Sequence, residues 1–348
     1  MSAGEAVARA ASEPCAPVDW LTVGAAAALA LGASWAGTAA MIRLLRAKGI
    51  LDRPNPRSSH RAPVPRGGGL APVAVAIAAW AGALVWTPGA SLWPVLVGAS
   101  LLACVSLLDD LRGLSPLVRI VVHGLAVALG SLTFAATGGV FQGLVPPVFD
   151  LILAGLIWVW FLNLFNFMDG IDGIAGAEAA CVGAGFALVV LGLGAELASA
   201  YHGLTLAAAA AGFLFWNWQP AKVFMGDVGS VPLGYLIGWL LLWLASQGAW
   251  EQALVLPLYF LADGTVTLAR RLARGERVWR AHREHFYQRA VEGGRSHAGV
   301  VRAVLAANLG LVALAAAAPH APQGLALGLG TLVVLFLLAW LGRRRAVA

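Results

Sequence analysis

Residues 148–173 read VFDLILAGLIWVWFLNLFNFMDGIDG. Up to Phe165 the stretch carries one charge, Asp150, over about 18 residues, enough for a helix to cross a hydrocarbon core of about 30 Å. Its end then changes character. Asn163 and Asn166 fall one helical turn apart on one face, and Asp169 and Asp172 follow, each with a glycine directly after it. An Asp near the centre of a membrane helix costs about 2.5–3.5 kcal/mol, and helix packing requires no such cluster. The stretch therefore predicts a membrane helix that ends in a chemical site.

Working outward, the same apolar texture recurs at 20–42, 69–86, 92–108, 117–137, 174–193, 200–218, 231–247, 253–269, 300–318 and 324–341. The chain is 60% apolar and 11% charged, with a mean hydropathy of +0.80, which excludes a soluble globular protein of 348 residues. The expected fold is an all-α polytopic bundle of ten or eleven transmembrane helices. Residues 1–19 form a short extracytoplasmic segment, 20–341 a single membrane domain and 342–348 a basic cytoplasmic tail. Alternating the gaps between runs places 22 of the 23 Lys and Arg on one side, all but Arg9. By the positive-inside rule that side is cytoplasmic. The net charge of +6 is thus a cytoplasmic collar suited to anionic lipid headgroups and anionic substrates, and needs no nucleic acid. Residues 1–18 lack the apolar core and cleavage site of a signal peptide. The three scattered cysteines Cys15, Cys104 and Cys181 suggest neither a disulfide framework nor a metal site.

Four further polar clusters share the cytoplasmic side. The segment from Asp52 to Gly69 joins His60, Arg61 and Arg66 to the glycines Gly67, Gly68 and Gly69, which open the next helix. Free backbone N–H groups at a helix N-terminus favour an anion, so this loop is expected to face phosphate. Asp109 and Asp110 stand side by side at a membrane boundary and need a metal or a cation as partner, and Arg119 lies within reach along the chain. Around Asn217, the run Phe224-Met225-Gly226-Asp227-Val228-Gly229 brackets one carboxylate with glycines, as suits a metal ligand. Phe224 is placed either to stack on a base or to anchor in lipid. Last, His282-Arg283-Glu284-His285 offers phosphate-binding and proton-transfer groups, while the intervening Arg and the lack of Cys argue against zinc. Asp263, in the preceding run, faces this site or a polar neighbouring helix.

Taken in order, these motifs resemble the polyprenyl-phosphate N-acetylhexosamine-1-phosphate transferases of glycosyltransferase family 4, over about residues 20–341. That family includes the translocase of peptidoglycan synthesis and the initiating transferases of O antigen, enterobacterial common antigen and teichoic acid. The segment Arg57-Ser58-Ser59-His60 with Pro65-Arg66-Gly67-Gly68-Gly69 is most similar to the O-antigen-initiating branch. The last loop departs from the three-histidine run of the peptidoglycan enzyme, which speaks against a muramyl-pentapeptide substrate. The resemblance implies a Mg²⁺-dependent enzyme of the bacterial inner membrane, with Mn²⁺ as a substitute. UDP-N-acetylhexosamine, undecaprenyl phosphate and membrane lipids are its partners, and a second copy of the chain is a candidate partner as well.

By motif matching it implies Asp227 as the chief metal ligand with Asp110. Asp109, Asp110, Asp227 and His285 are the catalytic set. His60, Arg66, Arg119, Asn163, Asn166, Asp169, Asp172, Asn217, Phe224 and His282 are the substrate-binding set, with Phe224 stacked on uracil. The competing reading is an ion-coupled transporter, since broken helices with central carboxylates describe those too. Against it, the acids gather at one face and the two halves show no matched repeat.

Overall fold

A computed structural model of the chain describes residues 18–54, 62–84, 92–135, 139–277 and 282–343. The helices are α1 (Trp20–Ala47), α2 (Leu70–Ala83), α3 (Trp93–Arg112), α4 (Pro116–Ala135), α5 (Pro147–Met168), α6 (Ile174–Gly192), α7 (Leu197–Asn217), α8 (Asp227–Ser246), α9 (Trp250–Val255), α10 (Leu258–Ala273), α11 (Phe286–Glu292), α12 (His297–Ala317) and α13 (Leu325–Gly342). Among the described residues, nine are long and apolar enough to cross a membrane.

Two of the eleven expected runs do not form a single helix of that length. The run at 69–86 gives only the 14-residue α2. The run at 253–269 is broken into α9 and α10 at Leu256-Pro257, where proline lacks the N–H that would continue the helix. The all-helical expectation also misses a two-residue hairpin, β1 (Leu51–Asp52) paired antiparallel with β2 (Val64–Pro65).

Helix α8 is the centre of the bundle, buried along almost its whole length. Small residues let its neighbours close in, as membrane packing requires where water gives no hydrophobic drive. A Cβ on Gly234 would lie 2.9 Å from Phe165 Cβ, and one on Gly238 would lie 2.5 Å from the Trp158 ring. Hydrogen bonds lock the same seams: Trp158 Nε1 donates to Tyr235 O at 2.8 Å, and Tyr235 Oη donates to Ala126 O at 3.1 Å. Leu117, Val121, Leu125 and Leu132 on α4, with Phe149, Ile152 and Leu156 on α5, remain exposed, the outer surface of a bundle solvated by lipid.

The contacts gather the C-terminal ends of α3, α5 and α7 at the N-terminal ends of α2, α4, α6 and α8. Four of the five polar clusters therefore converge, although they are separated by up to 161 residues in the chain.

Candidate active site

At the junction of α3 and α8 stand three carboxylates and two guanidinium groups. Arg66 Nη2 lies 2.8 Å from Asp110 Oδ1 and 3.2 Å from Asp227 Oδ1. Arg119 Nη1 lies 3.2 Å from Asp109 Oδ2 and 3.7 Å from Asp227 Oδ2. Arg119 is thus the cationic partner expected for Asp109, and Asp227 sits between the two arginines. Asp110 has a second task. Its Oδ1 accepts the Asp227 N–H at 3.2 Å and its Oδ2 the Val228 N–H at 2.9 Å, so it satisfies the orphan donors at the start of α8. Gly226 makes room for this at φ +73, and a Cβ there would lie 2.7 Å from Asp110 Oδ2.

The glycine loop is not arranged as expected. Gly67 and Gly68 both donate their N–H to Phe224 O, at 3.2 and 3.0 Å, and Gly69 donates to Met225 O at 3.0 Å. Phe224 N donates in turn to Pro65 O at 2.8 Å, and Arg66 and Phe224 form a parallel bridge. The N–H groups expected to meet phosphate are spent on this seam. Close packing explains the glycines instead: a Cβ on Gly69 would lie 2.4 Å from Gly229 Cα. Arg66, at the edge of the seam, is the group that reaches the acids. His60 lies outside the described residues.

Beside the acids opens a cavity of about 640 Å³ between α3, α4, α5 and α8. Its wall is mostly apolar, with Leu102, Val105, Ile120, Leu156 and Trp160 among the lining residues. Asp109, Arg119, Asn163, Asn166 and Asp227 line it too. Asn163 and Asn166 share this wall as their spacing predicts. Asn166 Oδ1 accepts from Ser230 Oγ at 2.5 Å, and Asn163 Nδ2 donates to Val159 O at 2.7 Å. His123 lines the cavity four residues, about one turn, beyond Arg119 and neighbours Asn163. His123 is not among the residues that the sequence singles out; its i, i+4 spacing from Arg119 is the signal that could have found it.

The loop after α5 divides its labour. Asp169 faces the acid cluster, and burial, then the like charge of Asp227, push its carboxyl up to about 7. Asp172 turns away: its Oδ2 accepts the Ala221 N–H at 3.1 Å and its Oδ1 lies 3.2 Å from His297 Nδ1. Asn217 is buried, accepting from Gly173 N at 2.9 Å and donating to Val223 O at 2.9 Å. Both brace the loops that present Asp169 and Phe224. On the other flank His285 is 2% exposed, its Nδ1 3.2 Å from Asp263 Oδ1, with the half-buried His282 ring 4.8 Å from its own. Burial, then the neighbouring His285, lower His282 to about 4, so it is neutral at physiological pH.

Magnesium favours hard oxygen donors and commonly takes one or two carboxylates, with phosphate and water completing the shell. Among the described residues no preformed nest of three or more ligating side chains occurs. Asp227 fits such a site, because its Oδ2 faces Arg119 only at 3.7 Å and its carboxylate lines the cavity. Asp110 is largely committed to the α8 N-terminus and Arg66, which leaves it a single lone pair.

Residues 92–245, which hold α3 to α8, match the Glycosyl transferase family 4 profile. Over 311 residues the chain is 28% identical to an undecaprenyl-phosphate alpha-N-acetylglucosaminyl 1-phosphate transferase of Escherichia coli O157:H7, covering 84% of this chain and 82% of that one. It is 29% identical over 309 residues to a decaprenyl-phosphate N-acetylglucosaminephosphotransferase of Mycolicibacterium smegmatis, covering 77% and 75%. A probable undecaprenyl-phosphate N-acetylglucosaminyl 1-phosphate transferase of Bacillus subtilis is 28% identical over 263 residues, with 72% of each chain covered. The bundle thus defines a multi-pass membrane protein, and the proteins it is similar to are named for transferring a sugar 1-phosphate to a polyprenyl phosphate. Over residues 92–245 the chain is similar to glycosyl transferase family 4, and beyond that stretch to the polyprenyl-phosphate transferases just named.

Proposed function

We propose that this protein transfers an N-acetylhexosamine 1-phosphate from a UDP-sugar to undecaprenyl phosphate, releasing UMP, on the cytoplasmic face of a bacterial inner membrane. One observation carries the reading: a cavity with an apolar wall that carries Asp109, Arg119 and Asp227. Such a cavity matches a lipid phosphate, whose tail is pure hydrocarbon and whose head is an anion. The relatives bear names that specify N-acetylglucosamine and undecaprenyl or decaprenyl phosphate. The distribution of 22 of 23 basic residues supports the cytoplasmic face. The resemblance of the Arg66 segment favours initiation of O-antigen synthesis, and the last loop speaks against a muramyl-pentapeptide substrate.

In the proposed step, an oxygen of the lipid phosphate attacks the phosphorus that bears the sugar. A new P–O bond forms as the bond to the UMP phosphate breaks, and UMP leaves with that electron pair. The acceptor phosphate has a second pKa near 6 and is mostly dianionic at neutral pH. No side chain has to remove a proton from it. Repulsion between two anions is the main obstacle, so positioning and charge neutralisation carry the barrier. Arg119 on the cavity wall is placed to hold the lipid phosphate, and Arg66 to hold the diphosphate. Mg²⁺, or Mn²⁺ in its stead, would be held chiefly by Asp227 and would neutralise the charge that develops on the bridging oxygens. Phe224, Asn166 and Asp169 serve the nucleotide, with Asp172 and Asn217 behind them; His282 and His60 serve the sugar side.

The test is UMP release by membranes containing the protein, supplied with undecaprenyl phosphate and a panel of UDP-GlcNAc, UDP-FucNAc and UDP-QuiNAc. Release that depends on both the lipid and one UDP-sugar supports the reading; no release with any of them overturns it. A reporter fused after Arg289 is expected in the cytoplasm, and one near Pro146 on the opposite side. Both on one side would overturn the shared-face site.

A further inference from the structure

Asp263 lies within α10 and is completely buried, at 0% exposure. A carboxylate in such a place is costly unless partners surround it, and it is surrounded. Its Oδ1 accepts from Phe286 N at 3.0 Å and Thr267 Oγ1 at 3.2 Å, and stands 3.2 Å from His285 Nδ1. Its Oδ2 accepts from Tyr259 Oη at 3.1 Å and Tyr287 N at 3.3 Å. Two oxygens offer about four lone-pair sites. The four donors Phe286 N, Thr267 Oγ1, Tyr259 Oη and Tyr287 N therefore saturate the group, with the His285 ring against it, and nothing remains for a metal or a substrate.

What these bonds hold is the start of α11. Phe286 and Tyr287 open that helix, and His285 caps it, with Gln288 Oε1 accepting the His285 N–H at 3.3 Å. From there one contact leads back to the acid cluster. Tyr287 Oη donates to Phe167 O at 3.2 Å, two residues before Asp169. The next residue, Gly170, can carry no side chain without meeting that hydroxyl, because a Cβ would lie 2.2 Å from Tyr287 Oη. Asp263, α11, Tyr287 and the Asp169 loop thus form one continuous brace.

We infer that Asp263 is a positioning residue for the transfer reaction, fixing His285 and, through Tyr287, the Asp169–Gly170 turn against the acid cluster. The inference rests on the transferase reading for its kinetic part only. A merely structural acid would hold α10 to α11 and leave the Asp169 turn indifferent to its loss.

The experiment uses full-length protein in detergent micelles. Asp263→Asn keeps the shape but turns one acceptor into a donor, which strands at least one of the five partners. Hydrogen exchange is read in peptides covering 282–292 and 163–173, alongside UMP release. Both peptides are expected to exchange faster in Asp263→Asn. Its kcat is expected to fall about 100-fold, the scale on which a misplacement of 1 Å acts, with KM for undecaprenyl phosphate within about threefold. The double variant Asp263→Asn/His285→Gln is expected to be no slower than the slower single variant, since the two act through one hub. Tyr287→Phe, which keeps the fold and removes only the hydroxyl, is expected to speed exchange in 163–173 and to lower kcat about tenfold.

Faster exchange in 282–292 with none in 163–173 would overturn the inference, as would losses that multiply in the double variant. Should Asp263→Asn fail to fold, Tyr287→Phe decides: wild-type exchange in 163–173 and wild-type kcat would overturn the brace. Exchange reads the coupling even in a protein that released no UMP, so failure of the transferase reading is told apart from failure of this one.

Discussion

Replacing Gly69 by alanine adds one methyl group at the tightest point of the seam between α2 and α8. That methyl would lie 2.4 Å from Gly229 Cα, 2.7 Å from Met225 Cγ and 2.8 Å from Met225 O. Carbon atoms pack comfortably at about 3.5–4.0 Å. The Met225 side chain can turn aside, but the Gly229 backbone cannot, so the two helix ends must part by about 1 Å. Overpacking of this kind costs about 1–3 kcal/mol. Arg66 and Asp227 ride on the two sides of the seam, and their 3.2 Å pair would open with it. Displacement of about 1 Å at a reacting centre can cost about 100-fold in rate. The expected outcome for Gly69→Ala is a drop of that order in UMP release together with a lower melting temperature. Gly82→Ala in the same helix is the control, because among the described residues nothing outside its own stretch of helix lies within 4 Å of its added methyl. Wild-type turnover in Gly69→Ala would refute the packing argument. Unchanged melting with only a raised substrate KM would restore the glycines to a phosphate-facing role.

Asp227→Asn preserves shape and removes charge, so it should insert and fold normally yet lose nearly all turnover, while EDTA should silence the wild type until Mg²⁺ or Mn²⁺ returns. Mg²⁺-dependent turnover by folded Asp227→Asn would shift the metal to Asp109 and Asp110. Phe224→Ala should raise the KM for the UDP-sugar about 5- to 150-fold, the equivalent of about 1–3 kcal/mol of lost stacking, and leave the lipid KM nearly unchanged; equal effects on both would make Phe224 an anchor. Asp169 holds its proton up to about pH 7. Its negative charge is absent below that pH and present above it, so Mn²⁺ affinity measured by electron paramagnetic resonance should rise from pH 6 to pH 8. Asp169→Asn should flatten that rise, and a persistent rise would assign it to another group.

Much of the site is legible as polar residues that a membrane helix has no structural reason to carry. Asn163, Asn166, Asp109, Asp110 and Asp227 stand out against leucine and valine, and the structure brings all five to one end of the bundle. The Asp109–Arg119 pair could be read as well, because the two residues are ten apart and only residues 113–115 separate their adjacent helices. Other features depended on contacts with no local trace. The glycines Gly67, Gly68 and Gly69 look alike whether their N–H groups face an anion or another strand. Only the distant carbonyls of Phe224 and Met225 decide between the two. Asp172 and Asn217 have the chemistry of ligand contacts, yet in the structure Asp172 meets Ala221 N and the His297 ring, and Asn217 meets Gly173 N and Val223 O. The Pro257 break was visible in the sequence, but an apolar run dominated the reading of that segment.

The bridge between Arg66 and Phe224 has a geometric consequence. Main-chain hydrogen bonds fix the backbone of Phe224 against that of Arg66, and so the places from which the two side chains start. The seam is therefore a gauge whose marks are cut in the backbone. Resizing either side chain leaves the marks in place. A single residue inserted or deleted between Pro65 and Gly69 would move every mark by one and turn alternate side chains to the opposite face, while each transmembrane helix kept its length and its neighbours.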